Sequence, residues 1–374
     1  MKKHIHYYFL LVSSALLAFG LLFLSTLSAI ASLQVFGNTN YYIFHQLIAV
    51  GIGLAAALVA YKIPLWFFKK IAPYVFFLNL LALGAVFIPG LGAKFWGASR
   101  WISIGGISFQ PSEFFKITAV IFISAWLSSK FSEPARKNWV FSVKRGYDNF
   151  IHVFLPFLVF LGIITIVFIF QKDITTLGII SVTLIAIYFA AGTPWWHTLL
   201  IFIMGAGSAI LLVIKEPYRF ERVLIFLHPE KDPLGMGHQL KQSLIAIGSG
   251  GWLGKGLGMS TQKFGFLPQS MGDSMFAIIG EETGIAGCLA VVILFLVFLW
   301  MGLTIAHGAS DTFSKLAATG ITTWIVFQAF INIASTMGLF PVSGVPLPFF
   351  SYGGSHIVAE IIGVGILLNI SKEK

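Results

Sequence analysis

The sequence predicts a polytopic α-helical membrane protein, and three observations carry that prediction. Of its 374 residues, 57% are apolar and only 10% charged, where an ordinary soluble domain is about 25% charged. The apolar residues gather into ten runs of membrane-spanning length. The basic residues between those runs fall into a one-sided pattern. A soluble enzyme, a nucleic-acid binder and a disordered scaffold are excluded together, because none of them could cover its surface with so few charges.

The runs lie at 8–32, 43–61, 71–89, 112–129, 151–170, 174–191, 196–214, 274–302, 313–337 and 353–370. The first contains Ala29-Ile30-Ala31, which mimics a signal-peptidase site. Its apolar stretch outruns the roughly 7–15 residues of a signal h-region, so it reads as a span. An even number of spans puts both termini on one side. With the termini in the cytoplasm, Lys2, Lys3, Lys62, Lys69, Lys70, Lys130, Arg136, Lys137, Lys144, Arg145, Lys315, Lys372 and Lys374 all lie inside. Lys94, Arg100, Lys116 and Lys172 fall outside or at outer span ends, so the net charge of +10 is mainly a topology signal. The single cysteine, Cys288, has no intrachain partner and sits in an apolar setting that suits packing.

Residues 1–374 read as one transmembrane domain. Residues 215–272, between the seventh and eighth spans, form its large extracytoplasmic loop. A loop of this length carries function or structure of its own. Its glycines and the amphipathic run Gln239–Ile247 predict short helices on the outer membrane surface.

Ionisable residues at membrane depth are costly and therefore functional candidates. Here they are Glu113, Lys116, Lys172, Asp173, Asp273, Glu281, Glu282 and Glu360, and nearly all fall at the outer ends of their spans. A transporter would more often place its carboxylates near the midplane. Glu113 and Lys116 are spaced i,i+3 and can pair on one helix face. Asp173, before Ile174-Thr175-Thr176, reads as a helix N-cap. Asp273 precedes a long apolar helix, and two readings stay open. It is a cap whose acidity the helix N-terminus strengthens, or a carboxylate that orients a hydroxyl or holds a divalent cation. Glu281 and Glu282, further along that helix, read as structural partners of neighbouring spans.

Arg100, Lys94, Arg219, Arg222, Lys255 and Lys263 lie outside beside glycine or aromatic residues. They suit charge-assisted binding of a pyrophosphate and equally a rim touching lipid headgroups. There is no Walker loop, HExxH, paired CxxC, GxSxG or dinucleotide fingerprint, so an organic cofactor is not expected. His228, His238 and His356 are not at metal-ligand spacing.

Three segments together resemble one family. Gly97-Ala98-Ser99-Arg100-Trp101-Ile102, with Phe109-Gln110-Pro111-Ser112-Glu113 and Lys116, is similar to the first outer-loop signature of the SEDS proteins (FtsW, RodA and SpoVE). Tyr218-Arg219, Arg222, Pro229–Gly235 and Gln242–Gly250 resemble that family's large outer loop, and Pro341–Ser355 its C-terminal signature. The resemblance covers essentially the whole chain. It implies a membrane glycosyltransferase that polymerises lipid II into β-1,4 glycan strands at the outer membrane face, in division or elongation. Leu267–Glu282 aligns with the stretch around the family's essential aspartate, which puts that role on Asp273. The substrate-binding residues implied are Arg100, Trp101, Glu113, Lys116, Arg219, Arg222, Lys263 and Ser351.

Two positions depart from the pattern: Gln269 stands where members usually carry Glu, and Gly272 where they carry Thr. Leu257–Lys263 and Gln328–Asn332 favour the FtsW branch over RodA. The implied partners are a class B penicillin-binding protein, which would supply the cross-linking that this chain has no SxxK domain for, and proteins of the division or elongation complex. The implied location is the bacterial cytoplasmic membrane, with the active site facing outward. The rival reading from another class is a lipid II flippase or other polyprenyl-lipid transporter.

Overall fold

A computed structural model describes residues 5–95, 98–105, 107–131 and 149–372. Lys2, Lys3, Arg136, Lys137, Lys144, Arg145, Lys374 and Gly97 of the first signature lie outside the described residues, as does the side chain of Lys94. The chain runs through α1 (Ile5–Phe36), α2 (Tyr41–Lys62), α3 (Leu65–Ala85) and α4 (Pro111–Lys130). After a π-helical turn at Phe150–Phe154 come α5 (Leu155–Phe170), α6 (Ile174–Ala190), α7 (Trp195–Lys215), α8 (Pro217–Leu227) and α9 (Met236–Gly250). The last three helices are α10 (Met275–His307), α11 (Thr312–Thr336) and α12 (Gly354–Lys372).

Among the described residues, eight helical segments are long and apolar enough to cross a bilayer: α1, α2, α3, Phe150–Phe170, α7, α10, α11 and α12. The other two expected spans are α4, which carries Glu113, Lys116 and Lys130 in its 20 residues, and the 17-residue α6. At 1.5 Å per residue α6 is about 26 Å long, close to the hydrocarbon thickness. The bundle's core lies along α4, α11 and α12, whereas α7 buries only His197 and Ile201. The most extensive helix–helix contact is between α2 and α12. A Cβ on Gly365 would stand 2.7 Å from the Ala57 carbonyl oxygen, so only glycine admits that approach.

The helical class has one exception, in the first outer loop. Gly92–Phe95, Ala98–Ile104 and Ile107–Phe109 (β1, β2 and β3) form a small antiparallel sheet in the order β1-β2-β3, with Ala93 opposite Trp101 and Ser103 opposite Ser108. The alternation in Ile102-Ser103-Ile104 is the sequence signal for it, too short to stand out beside ten apolar runs.

Two irregular segments shape the end of the bundle that matters. Helix α10 breaks at Gly284, whose φ of +67° and ψ of −164° are not helical. The break frees backbone groups, and the outer loop satisfies them. Lys255 and Gly256 amides donate to the Glu281 and Glu282 carbonyls at 3.0 Å, and Ile285 and Ala286 amides donate to Gly251 and Trp252 at 2.9 and 3.2 Å. Irregular backbone within a membrane bundle survives only with such partners. Residues 285–307 are about 34 Å of helix, long enough by themselves to cross a bilayer, while Met275–Thr283 form a separate arm with α9 alongside.

The second segment, 341–353, enters the bundle without regular structure and buries Val345, Leu347, Phe349 and Phe350. Side chains bind its amides. Ser351 Oγ accepts from Leu347 N (2.8 Å), Glu360 Oε2 from Phe349 N (2.8 Å) and Gln46 Oε1 from Gly353 N (3.1 Å).

Candidate active site

Asp273 sits where the outer loop, the 341–353 segment and α11 meet. Its backbone is clamped. Met271 O accepts from Tyr352 N (2.8 Å), Gly272 O from Ser351 Oγ (2.6 Å) and Asp273 O from Asn332 Nδ2 (2.8 Å) and Thr336 Oγ1 (3.3 Å). Asn332 Nδ2 also donates to Val345 O at 2.7 Å, so a single amide ties the aspartate to the C-terminal signature. The carboxylate itself is held loosely. Gln239 Nε2, from α9, donates to Oδ1 at 3.1 Å and to Ser274 Oγ at 3.0 Å.

The helix after Asp273 starts at Ser274 with no side-chain cap, so the capping reading of Asp273 is not what the structure shows. Nor is its acidity strengthened. Burial pushes the carboxyl up to about 6, and the Gln239 hydrogen bond, the Arg222 guanidinium and the Gly344 amide only partly oppose it. At pH 7 such a group is roughly nine-tenths ionised, with a basicity near that favoured for proton transfer.

Arg222, on α8, donates through Nη1 to Val342 O (3.3 Å) and through Nη2 to the Tyr218 hydroxyl, with its guanidinium 4.8 Å from the Tyr218 ring. It is the cation felt by Asp273. Arg219 turns the other way, toward Leu212 O at 3.0 Å. Lys263 donates to Gly258 O and faces the Glu282 side.

A second group lies below this one along α11. Trp324, Gln328, Asn332 and Thr336 follow each other at i,i+4 and form one polar stripe. Lys116 Nζ is 2.7 Å from both Glu113 Oε2 and Gln328 Oε1, and 5.1 Å from the Trp324 ring centroid. Lys116 and Glu113 are 2% and 4% exposed, so this is a buried, paired lysine beneath the aspartate rather than an open cation. Gln328 Nε2 reaches Pro346 O at 3.1 Å, which links the pair to the same C-terminal segment.

Arg100 is also committed. It lies 3.9 Å from Asp173 Oδ2 and donates to the carbonyls of Gln171 and Lys172, latching the small sheet onto the turn before α6. Trp101, half-buried, follows it on β2. Asp173 is the N-cap the sequence predicted, accepting from Thr176 N at 3.3 Å. Ser351 spends its hydroxyl on Gly272 O and Leu347 N, which places it under the aspartate as a support. Glu281 differs from expectation: its carboxylate pairs with its own outer loop, at Lys255, Ser260, Thr261 and Gln262.

The structure therefore joins Asp273, Arg222 and Ser351 in one site, sets Glu113 and Lys116 beneath it, and anchors Arg100, Arg219 and Lys263 elsewhere. Gln239, Asn332 and Thr336 join the site without having been singled out. The polar stripe of α11 is a local signal that identifies two of them, but Gln239 approaches through a fold-back of the loop that no local pattern reveals.

Fold and site together define a multi-pass membrane protein whose reactive groups collect at one end of a helical bundle, with the cations Lys62, Lys69, Lys70, Lys130, Lys315 and Lys372 at the other. The chain belongs to the FtsW/RodA/SpoVE family of cell cycle proteins, whose family model matches residues 6–374. Stage V sporulation protein E of Bacillus subtilis is 36% identical over 363 residues, 97% of this chain and 95% of that protein. A probable peptidoglycan glycosyltransferase FtsW from Trichlorobacter lovleyi is also 36% identical, over 97% of this chain and 92% of its own length. A solved chain of a peptidoglycan synthase complex that coordinates polymerization and crosslinking superposes with a TM-score of 0.76 at 23% identity, covering 98% of this chain and 97% of that one. Rod shape-determining protein RodA of Thermus thermophilus gives 0.68 at 20% identity, covering 98% and 96%. The last two establish the shared fold.

Proposed function

We propose that the protein is a peptidoglycan glycosyltransferase of the cytoplasmic membrane, polymerising lipid II at the outer face during cell division. The observation that carries the reading is Asp273, a half-buried carboxylate with one side-chain donor and a raised pKa, set between Arg222 and the clamped C-terminal signature. The names of the relatives support the activity, and their FtsW and SpoVE assignments support a division-type role. The inner end is assigned by its lysines, which puts Asp273 outside.

In this reading the 4-hydroxyl of an acceptor GlcNAc attacks the anomeric carbon of a donor whose sugar is α-linked to pyrophosphate. The new C–O bond forms as the bond to pyrophosphate breaks, the leaving group takes the electron pair, and inversion yields the β-1,4 linkage. Asp273 takes the hydroxyl proton and Arg222 faces the departing negative charge. Gln239 and Asn332 orient the aspartate from two sides. Lys116, held by Glu113 and Gln328, adds positive potential from beneath. Much of α7 is unburied, so the polyprenyl tails reach the site sideways from the bilayer while the sugars remain outside. Among the described residues no three His, Cys, Asp or Glu converge as a metal cage. A divalent cation would be held by Asp273, with substrate phosphates and water completing its shell, a set that suits Mg²⁺.

A class B penicillin-binding protein is the proposed partner, supported by the likeness to a chain of a synthase complex. The test is polymerisation of purified lipid II by the solubilised full chain, with and without the transpeptidase, in EDTA and after Mg²⁺ or Mn²⁺ add-back. Glycan ladders are expected. Vesicles that translocate labelled lipid II without polymerising it would establish the transporter reading instead.

A further inference from the structure

An aromatic row leads away from the Asp273 loop through Tyr352. Tyr352, whose amide is bonded to Met271 O, meets Tyr42 edge-on with ring centroids 5.0 Å apart. Tyr42 meets Tyr41 at 5.7 Å and Phe36 at 5.5 Å, and Phe36 stacks on Tyr41 at 3.7 Å. Tyr41 and Tyr42 open α2 and Phe36 closes α1, so the row lies on the turn between those helices, at the same end of the bundle as Asp273. The turn itself, Asn38-Thr39-Asn40, is exposed and offers amide and hydroxyl groups. The Tyr41, Tyr42 and Tyr352 side chains lie close enough for their hydroxyls to influence one another.

The charge around this row is distinctive. No Asp, Glu, Lys or Arg occurs from Ile5 to Tyr61 or from Leu316 to Ala359. The Asp273 loop therefore has two unlike flanks. The α8 side carries Arg222 and suits an anion. The α1–α2 turn carries no Asp, Glu, Lys or Arg and is aromatic and rich in hydroxyl and amide groups; Lys263, on the loop packed against α1, lies near Thr26, ten residues before Phe36. Neutral sugars offer CH faces to aromatic rings and hydroxyls to such donors and acceptors, whereas a pyrophosphate finds no countercharge there. An interfacial aromatic belt would set rings singly toward lipid. Here the rings contact one another and reach the loop bearing Asp273 through Tyr352.

We propose that Phe36, Tyr41, Tyr42 and Tyr352 form a saccharide-binding platform that holds an uncharged stretch of β-linked amino-sugar chain beside Asp273. The proposal rests on the glycosyltransferase reading of Asp273 and adds a place for the glycan, separate from the pyrophosphate side.

The test measures binding of lipid-free chitotetraose, by saturation-transfer NMR, to the full-length protein in nanodiscs. Inorganic pyrophosphate serves as the second probe, and lipid II polymerisation is assayed on the same preparations. Tyr42→Ala and Phe36→Ala are expected to weaken chitotetraose binding about tenfold, to leave pyrophosphate binding unchanged and to shorten the glycan product. Tyr42→Phe should keep most of the binding. Phe44→Ala, at a residue 62% exposed on the same helix, should bind like wild type. Phe36 is itself exposed, so its loss leaves the fold intact and keeps the test readable. Polymerising wild-type protein that does not bind chitotetraose would overturn the platform and leave the enzyme reading standing. Equal loss in Phe44→Ala would overturn it in favour of a membrane belt. Wild-type protein that binds the sugar but never polymerises would overturn the enzyme reading instead.

Discussion

Asp273 and Glu281 are two acids on the same stretch of chain, eight residues apart, and the structure treats them in opposite ways. Glu281 is fully buried and its two oxygens accept from Lys255 Nζ, Ser260 Oγ, Thr261 N, Thr261 Oγ1 and Gln262 N. Asp273 remains half-buried and receives one side-chain hydrogen bond, from Gln239. A carboxylate with every lone pair spent can hold a loop but has nothing left for a substrate. One with spare acceptor capacity and a raised proton affinity can take a proton. Hydrogen-bond supply, more than position in the chain, separates Glu281 from the proposed catalytic acid Asp273.

Asp273→Asn should have the largest effect. Polymerisation should fall by about 10²–10⁴, the range for losing a general base. Thermal stability should move the other way. The folded-state carboxyl titrates at about 6, above its ordinary 3.8. The stability it contributes is therefore present below pH 3.8 and lost as pH rises through 6. The asparagine variant should melt higher than wild type at pH 8 and at about the same temperature near pH 4. A lower melting temperature at pH 8 would mean that Asp273 is a structural acid after all.

Glu281→Ala should do the reverse. It strands Lys255 and several loop donors, at a cost of about 3 kcal/mol, visible as a fall in the unfolding midpoint. The molecules that stay folded should still polymerise.

Gln239→Leu removes the one side-chain donor to the Asp273 carboxylate among the described residues. Its hydrogen bond lowers the Asp273 pKa, so its loss should move the acidic limb of the rate profile upward. Activity at pH 6 should drop about fivefold if the shift reaches about one unit, with a smaller loss at pH 8. A uniform loss at all pH values would assign Gln239 a purely structural role.

The smallest effect expected is that of Gly272→Thr. A Cβ at Gly272 finds its nearest neighbour, Gln269 Oε1, at 3.4 Å, so the side chain fits. Stability should stay within about 0.5 kcal/mol.

The spans were legible because hydropathy alone decides them, and the clustering of ionisable residues at outer span ends already favoured an enzyme over a carrier. The segment Leu267–Glu282 singles out Asp273 as a candidate but not its acidity: the sequence shows a helix start, while the burial that raises its pKa comes from distant chain. Glu281 was misjudged for the same reason, since its partners at 255–262 reach it through a break at Gly284 that an apolar run conceals. The free cations expected from Arg100 and Lys263 proved to be engaged by backbone carbonyls, whereas the pairing of Lys116 with Glu113 follows the i,i+3 spacing read from the sequence.

The central claim is that Asp273 acts as the base with a proton affinity set by its burial. It is tested most directly by the pH dependence of kcat/KM for lipid II polymerisation by the wild-type protein. An acidic limb near pH 6 that disappears from the residual activity of Asp273→Asn is the predicted result. A profile flat from about pH 5 to pH 8, or a limb that persists in that variant, would contradict it.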